Sequence, residues 1–131
     1  MKYLLDTHVL LWYLFEEEKL SKSAAAILKR LDIDIYVSAV NFWEISVKYG
    51  IGKLDLKKLI PNELPEYCVK YGFKTLPISV EETSSYFQLA SHHRDPFDRM
   101  LIWQAIQNNF VLISNDENMP LYRPEGLKLL W

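Results

Sequence analysis

Phe110-Val111-Leu112-Ile113-Ser114-Asn115-Asp116 is the stretch on which the reading of this chain turns. Four apolar residues, two of them β-branched, make a run short enough for a strand and apolar enough to be covered on both faces, as in a parallel sheet. Asn115 and Asp116 then supply turn chemistry, which leaves an acid at the strand's carboxyl end. The beginning of the chain repeats the arrangement. Tyr3-Leu4-Leu5 reads as a buried strand, Asp6 follows directly, and Val9, Leu10, Leu11, Trp12, Leu14 and Phe15 continue as a helix.

Working outward, short β-like runs alternate with helical ones. Residues 22–31 form an alanine-rich amphipathic segment with Ser21 placed to cap it. Asp34-Ile35-Tyr36-Val37 is a second strand, and Ser38 caps a longer helix reaching about Tyr49, stopped by Gly50 and Gly52. A helix over residues 61–71 ends at Gly72, and Lys74-Thr75-Leu76 is a short strand before Pro77. Helices are expected over residues 80–91 and 96–108, with a last edge strand at residues 127–130. Such alternation predicts an α/β layer fold around a mostly parallel sheet of about five strands. In that architecture ligands bind beyond the carboxyl ends of the strands.

Length and composition fit this reading. The 131 residues suit one domain spanning 1–131, and with half of them apolar a core needs no disulfide or structural metal. The single cysteine, Cys68, has no internal partner and is expected as a small buried hydrophobe in a reducing compartment. No secretory leader and no apolar run near the roughly 20 residues of a membrane span is visible, so a soluble, cytoplasmic protein is expected, with no membrane partner. A formal charge of −2 argues against a protein that holds nucleic acid by charge alone. It leaves room for an acidic site whose bound metal reverses the local sign.

Five acids carry the chemistry, each with an ordinary alternative. Asp6 is either an N-cap or a carboxylate presented at a strand end. Glu44 shares a helical face with Val40, Val47 and Ile51, with Trp43 close by. It either pairs with Lys48 one turn on or stands as a carboxylate buried in an apolar stripe, where it needs a partner. Asp95-Pro96-Phe97-Asp98 opens a helix with Asp95 as N-cap and Pro96 at the first position. Asp98 lies on the face of Leu101, Ile102 and Ala105, which packs on the sheet, and both acids also suit the helix dipole. Asp116 is a turn residue or the counterpart of Asp6. An α/β fold can gather the set into one cleft, where several carboxylates stay ionised only with a cation. Oxygen ligands of this type suit Mg²⁺ or Mn²⁺. One or two such ions activate water and stabilise in-line displacement at a phosphodiester.

LLDTHVLLW, SAVNFWEISVKYGIGKL, HRDPFDRMLIWQA and VLISND, in that order and over nearly the whole chain, resemble the acidic blocks of PIN-domain proteins, specifically the VapC-type toxins. The resemblance implies a three-layer α/β/α fold and metal-binding, catalytic acids at Asp6, Glu44, Asp98 and Asp116, with Asp95 as a further metal participant. Ser114 stands where the family commonly has Thr. It also implies a Mg²⁺- or Mn²⁺-dependent endoribonuclease that cuts RNA, a homodimer or toxin–antitoxin hetero-oligomer, and inhibition by a cognate antitoxin. Two other readings compete: a catalytically inactive, regulatory PIN module that binds nucleic acid, and a phosphoacceptor domain. The second wants an acid pair near the first strand and a Lys after a late strand, which the chain lacks.

The remaining polar residues have less specific expectations. Lys48, Arg94 and Arg99 either line the cleft and hold phosphates or form surface ion pairs. His92 and His93 are expected as solvated loop residues, and His8 in packing at a helix start. Trp12, Trp43 and Trp103 are expected in the core, and Trp131 against the last strand.

Overall fold

The computed structural model describes all residues from Met1 to Trp131. Five strands, β1 (Lys2–Leu5), β2 (Asp34–Ser38), β3 (Lys74–Leu76), β4 (Val111–Ile113) and β5 (Lys128–Leu130), form one sheet in the order β3-β2-β1-β4-β5. Every pairing is parallel, so all carboxyl ends lie on one edge. The two acid-bearing strands are neighbours, with Tyr3 opposite Val111 and Leu5 opposite Ile113. The strand order reverses direction around β1, which puts the crevice beside Asp6.

Helices cover both faces. Tyr3, Leu5, Ile35, Val37, Val111 and Ile113 meet residues of α1 (Thr7–Phe15), α2 (Lys22–Leu28) and α4 (Leu64–Lys70), with Cys68 buried among them. Leu4 and Leu112 point the other way, onto α6 (Pro96–Asn108) and the 3-10 segment Met119–Glu125. Two apolar clusters on opposite sides of one sheet make the three-layer α/β/α architecture. No helix is long and apolar enough to cross a membrane.

Several elements differ from expectation. The helix expected over residues 80–91 is only α5 (Val80–Ser85) followed by a 3-10 turn, Tyr86–Gln88. The hydroxyls of Thr83, Ser84 and Ser85 bond back to carbonyls of residues 79–81, the competition that makes Ser and Thr weak helix formers. Helix α2 stops at Leu28; Leu31, past its end, is fully exposed, and Arg30 pairs with Asp32 instead. Residues 61–63 form a 3-10 turn before α4 begins.

Helix α3 (Ala39–Gly50) buries Val40, Asn41, Glu44 and Ile45, and no residue after them. Val47 and Ile51 are exposed although helical angle places them beside Val40, and Trp43, expected in the core, stands outside the buried arc and is 55% exposed against Phe97.

Candidate active site

Register brings the first two pieces together. The Asp6 amide donates to the Ile113 carbonyl at 3.0 Å, which sets Asp6 beside Ser114. Ser114 Oγ donates to Asp6 Oδ2 at 2.6 Å and accepts the Asp116 amide at 3.1 Å. Asp6 occupies the N-cap position of α1, yet its carboxylate makes no cap hydrogen bond. Between the two sequence readings of Asp6, the geometry selects a carboxylate turned into the cleft. Its Oδ1 is buried and has no hydrogen-bond partner.

Helix α3 is locked to the same strand end. The Asn41 amide nitrogen donates to the Leu5 carbonyl and to Thr7 Oγ1, both at 3.0 Å, while its oxygen accepts the Ser38 amide. These bonds clamp the two residues flanking Asp6 to the helix turn that precedes Glu44. Ser38 Oγ caps α3 at the Val40 amide and donates to Gln104, itself bonded to Glu82. Glu44 is 1% exposed. Its Oε2 takes Lys48 Nζ at 2.5 Å, so the i,i+4 pair exists, but Oε1 is buried without a partner. Both readings of Glu44 hold, one for each oxygen.

At the start of α6, Asp95 Oδ1 accepts the Phe97 and Asp98 amides, an N-cap as expected. Asp98 is buried, and His93 Nε2 lies 3.3 Å from its Oδ2. The Tyr122 hydroxyl accepts the backbone amides of His92 and His93 and lies 2.9 Å from His93 Nδ1. With both of its acceptor positions used, the phenol donates its one proton to Nδ1, which leaves the ring proton on Nε2, aimed at Asp98. His93 is thus not the solvated loop residue expected; the fully buried Tyr122 draws it inward. His92, at the surface, pairs with Glu125. Asp116 Oδ1 accepts the Asn118 amide, so its turn role is also realised.

The electrostatics show how closely the carboxyls are gathered. Burial pushes the Asp6 carboxyl up to about 6, against the pull of the Ser114 hydrogen bond. Asp98 is raised to about 8, first by burial and then by the fields of Asp6, Asp95, Asp116 and Glu44. Lys48 loses hydration by burial, but its bond to Glu44 and the charges of Asp95 and Asp98 more than compensate and raise it.

A divalent cation fits this donor set. Two buried carboxylate oxygens lack any partner, and the surrounding acids repel one another. No three His, Cys, Asp or Glu side chains converge closely enough to hold a metal ion by themselves. Oxygen donors of this kind suit a hard divalent cation whose shell is completed by water. A pocket of about 290 Å³ opens beside Glu44 and carries Lys48, Lys53 and His8, whose exposed ring also lies against Trp12 at the helix start, as expected.

The other two cations stand apart. Arg94 is exposed and in no ion pair. Arg99 turns away from the acids to bond the Tyr86 hydroxyl and the Leu89 carbonyl, its guanidinium over the Tyr86 ring. Sequence reasoning missed Asn41 and Tyr122. Asn41 left a usable trace, an amide three positions before Glu44 on a face otherwise apolar; Tyr122, in a proline-flanked irregular stretch, left none.

A sequence model of the PIN domain matches residues 3–124. The chain belongs to the PIN domain family. Ribonuclease VapC22 of Mycobacterium tuberculosis is 23% identical to this PIN domain over 98% of the chain and 97% of that protein. Among solved structures, VapBC2 from Rickettsia felis, bound to a DNA fragment from its promoter, is similar at a TM-score of 0.72 and 20% identity, covering 99% of this chain and 98% of that one. VapBC-1 from nontypeable Haemophilus influenzae is similar at 0.70 and 18%, covering 99% and 97%. These likenesses establish the PIN fold, and the acids of this PIN domain lie at the carboxyl edge of its sheet.

Proposed function

We propose that this PIN domain, a single domain over residues 1–131, is an endoribonuclease of the VapC type that depends on Mg²⁺ or Mn²⁺. In this reading it is the cytoplasmic toxin of a toxin–antitoxin pair, neutralised by a cognate antitoxin, and assembles as a homodimer or a toxin–antitoxin hetero-oligomer. The observation that carries the catalytic part is the pair of partnerless buried oxygens, Asp6 Oδ1 and Glu44 Oε1, beside Asp98 and Asp116. The assembly part is supported by the similarity to Ribonuclease VapC22 and to the VapBC structures.

Asp6, Glu44, Asp98 and Asp116 would hold the ion, in part through its bound waters, with Asp95 fixing the start of α6 and adding its charge. Such an ion, once bound, would supply a water of lowered pKa and offset negative charge gathering on the phosphate. Ser114 orients Asp6 by donating to Oδ2, which leaves Oδ1 free. His93 does the same for Asp98. Lys48 neutralises one oxygen of Glu44 and, with Lys53, lines the side from which an RNA backbone approaches.

The test is incubation of purified, antitoxin-free protein with total bacterial RNA, with Mg²⁺ or Mn²⁺ and with EDTA, beside an Asp6→Asn/Asp98→Asn double variant. Discrete cuts that need metal and vanish in the variant are expected. Intact RNA in every lane, from folded protein, would overturn the proposal and leave the nucleic-acid-binding module as the better reading.

A further inference from the structure

A second cavity, of about 300 Å³, opens on the other side of the acids, between the loop after β4 and the end of β5. Ser114 and Asp116 form its inner wall, so whatever occupies it is next to the group held at the carboxylates. Its remaining chemistry differs from that of the acidic centre. Trp131 offers an indole backed by Trp12, with ring centroids 5.8 Å apart, and Pro120 adds apolar surface. Asn115 is exposed and makes no side-chain hydrogen bond, which leaves its amide donor and acceptor available. Arg123 and Glu117 line the same cavity, both exposed and outside every ion pair of the fold, so the guanidinium is its one cation beside the carboxylates of Asp116 and Glu117.

An aromatic face held in place by a second ring, an amide with both hydrogen-bonding functions free and an uncommitted guanidinium match one unstacked nucleotide. The base stacks on the indole, the amide meets its edge and the guanidinium meets a phosphate. The volume is at the small end of ligand sites, enough for one nucleoside and not for a stack. The lysine-lined pocket has Glu44 in its wall and this one has Ser114 and Asp116, so a single strand occupying both would run past the acidic centre.

We propose that the Trp131–Arg123 pocket is the subsite for the nucleotide adjoining the scissile phosphate, its base stacked on the Trp131 indole. This rests on the ribonuclease reading above and deepens it. Stacking of this kind needs an unpaired base, because a base in a duplex cannot reach the indole face.

The experiment measures fluorescence anisotropy of a labelled, mixed-sequence RNA single strand in an Asp6→Asn background, which removes cleavage from the readout. Adding Trp131→Ala weakens binding about tenfold, Trp131→Phe restores most of it, and an abasic strand of equal length shows no such difference. Adding Arg123→Ala lowers the slope of log affinity against log salt by about one. Thermal melting of each variant confirms that it is folded. If native protein cleaves RNA yet Trp131→Ala binds the strand and its abasic form as the parent does, the subsite is wrong and the ribonuclease reading stands. If native protein neither binds nor cleaves RNA, the reading beneath it has failed.

Discussion

Replacing Asp98 by Asn should stabilise the metal-free protein, and more so as pH rises. The Asp98 carboxyl titrates near 3.8 in the unfolded chain and at about 8 in the folded one. Between those values the folded state holds a proton that the unfolded state has released, so stability falls as pH increases through this window. At about 1.4 kcal/mol per pKa unit, the four-unit difference sets a ceiling of about 6 kcal/mol at pH 8. Water entering the cleft and side-chain rearrangement around the charge recover more than half of that, leaving about 2 kcal/mol. For a chain of this length that corresponds to a rise in Tm of about 8 °C for Asp98→Asn at pH 8 in EDTA. At pH 5 only about a quarter of the window has been crossed, and the gain shrinks to about 2 °C. Asp6, raised to about 6, adds a slope of the same sign between about pH 4 and 6, but it is present in both proteins and cancels in the difference. Calorimetry at the two pH values, without metal and then with saturating Mn²⁺, makes the measurement. Metal should erase the variant's advantage at pH 8 by stabilising only the native carboxylate. An equal Tm difference at both pH values, or a variant less stable than the native protein at pH 8, would show that burial and repulsion of this carboxylate are not what the geometry implies.

Two further outcomes follow from individual hydrogen bonds. Ser114→Ala removes the donor to Asp6 Oδ2 and the acceptor for the Asp116 amide. Mn²⁺ affinity measured by titration calorimetry should fall roughly tenfold, and Ser114→Thr should keep it. Arg99→Ala, by contrast, breaks bonds to Tyr86 and Leu89 rather than to the acids. It should lower the unfolding free energy, measured by denaturant titration, by about 1–2 kcal/mol while leaving RNA affinity unchanged; a selective loss of RNA affinity would return Arg99 to the cleft.

Much of the site was legible because strand ends and helix starts are local events. Asp6 and Asp116 follow short apolar runs, and Asp95-Pro96 marks a helix start whatever surrounds it, so their places could be read one segment at a time. The inward face of α6 was equally readable, since Leu101, Ile102 and Ala105 recur with Asp98 at helical spacing. His93 was misjudged for the opposite reason. Its burial comes from Tyr122, 29 positions away, and nothing in the residues beside it records that contact. Trp43 was misjudged because the buried face of α3 is centred on Val40, Asn41, Glu44 and Ile45, and at helical spacing Trp43 points away from that arc.

By itself, then, the sequence determined the alternation of elements, the parallel sheet, the acids at element ends and the family, all written in short-range pattern. Only the tertiary structure decided which neighbour each acid meets. The β1–β4 register set Ser114 against Asp6, Asn41 tied α3 to the same strand end, and Tyr122 turned His93 onto Asp98. These pairings join residues far apart in the chain, and a hydrogen bond or a shifted carboxyl depends on distances of a few ångströms that no local pattern encodes.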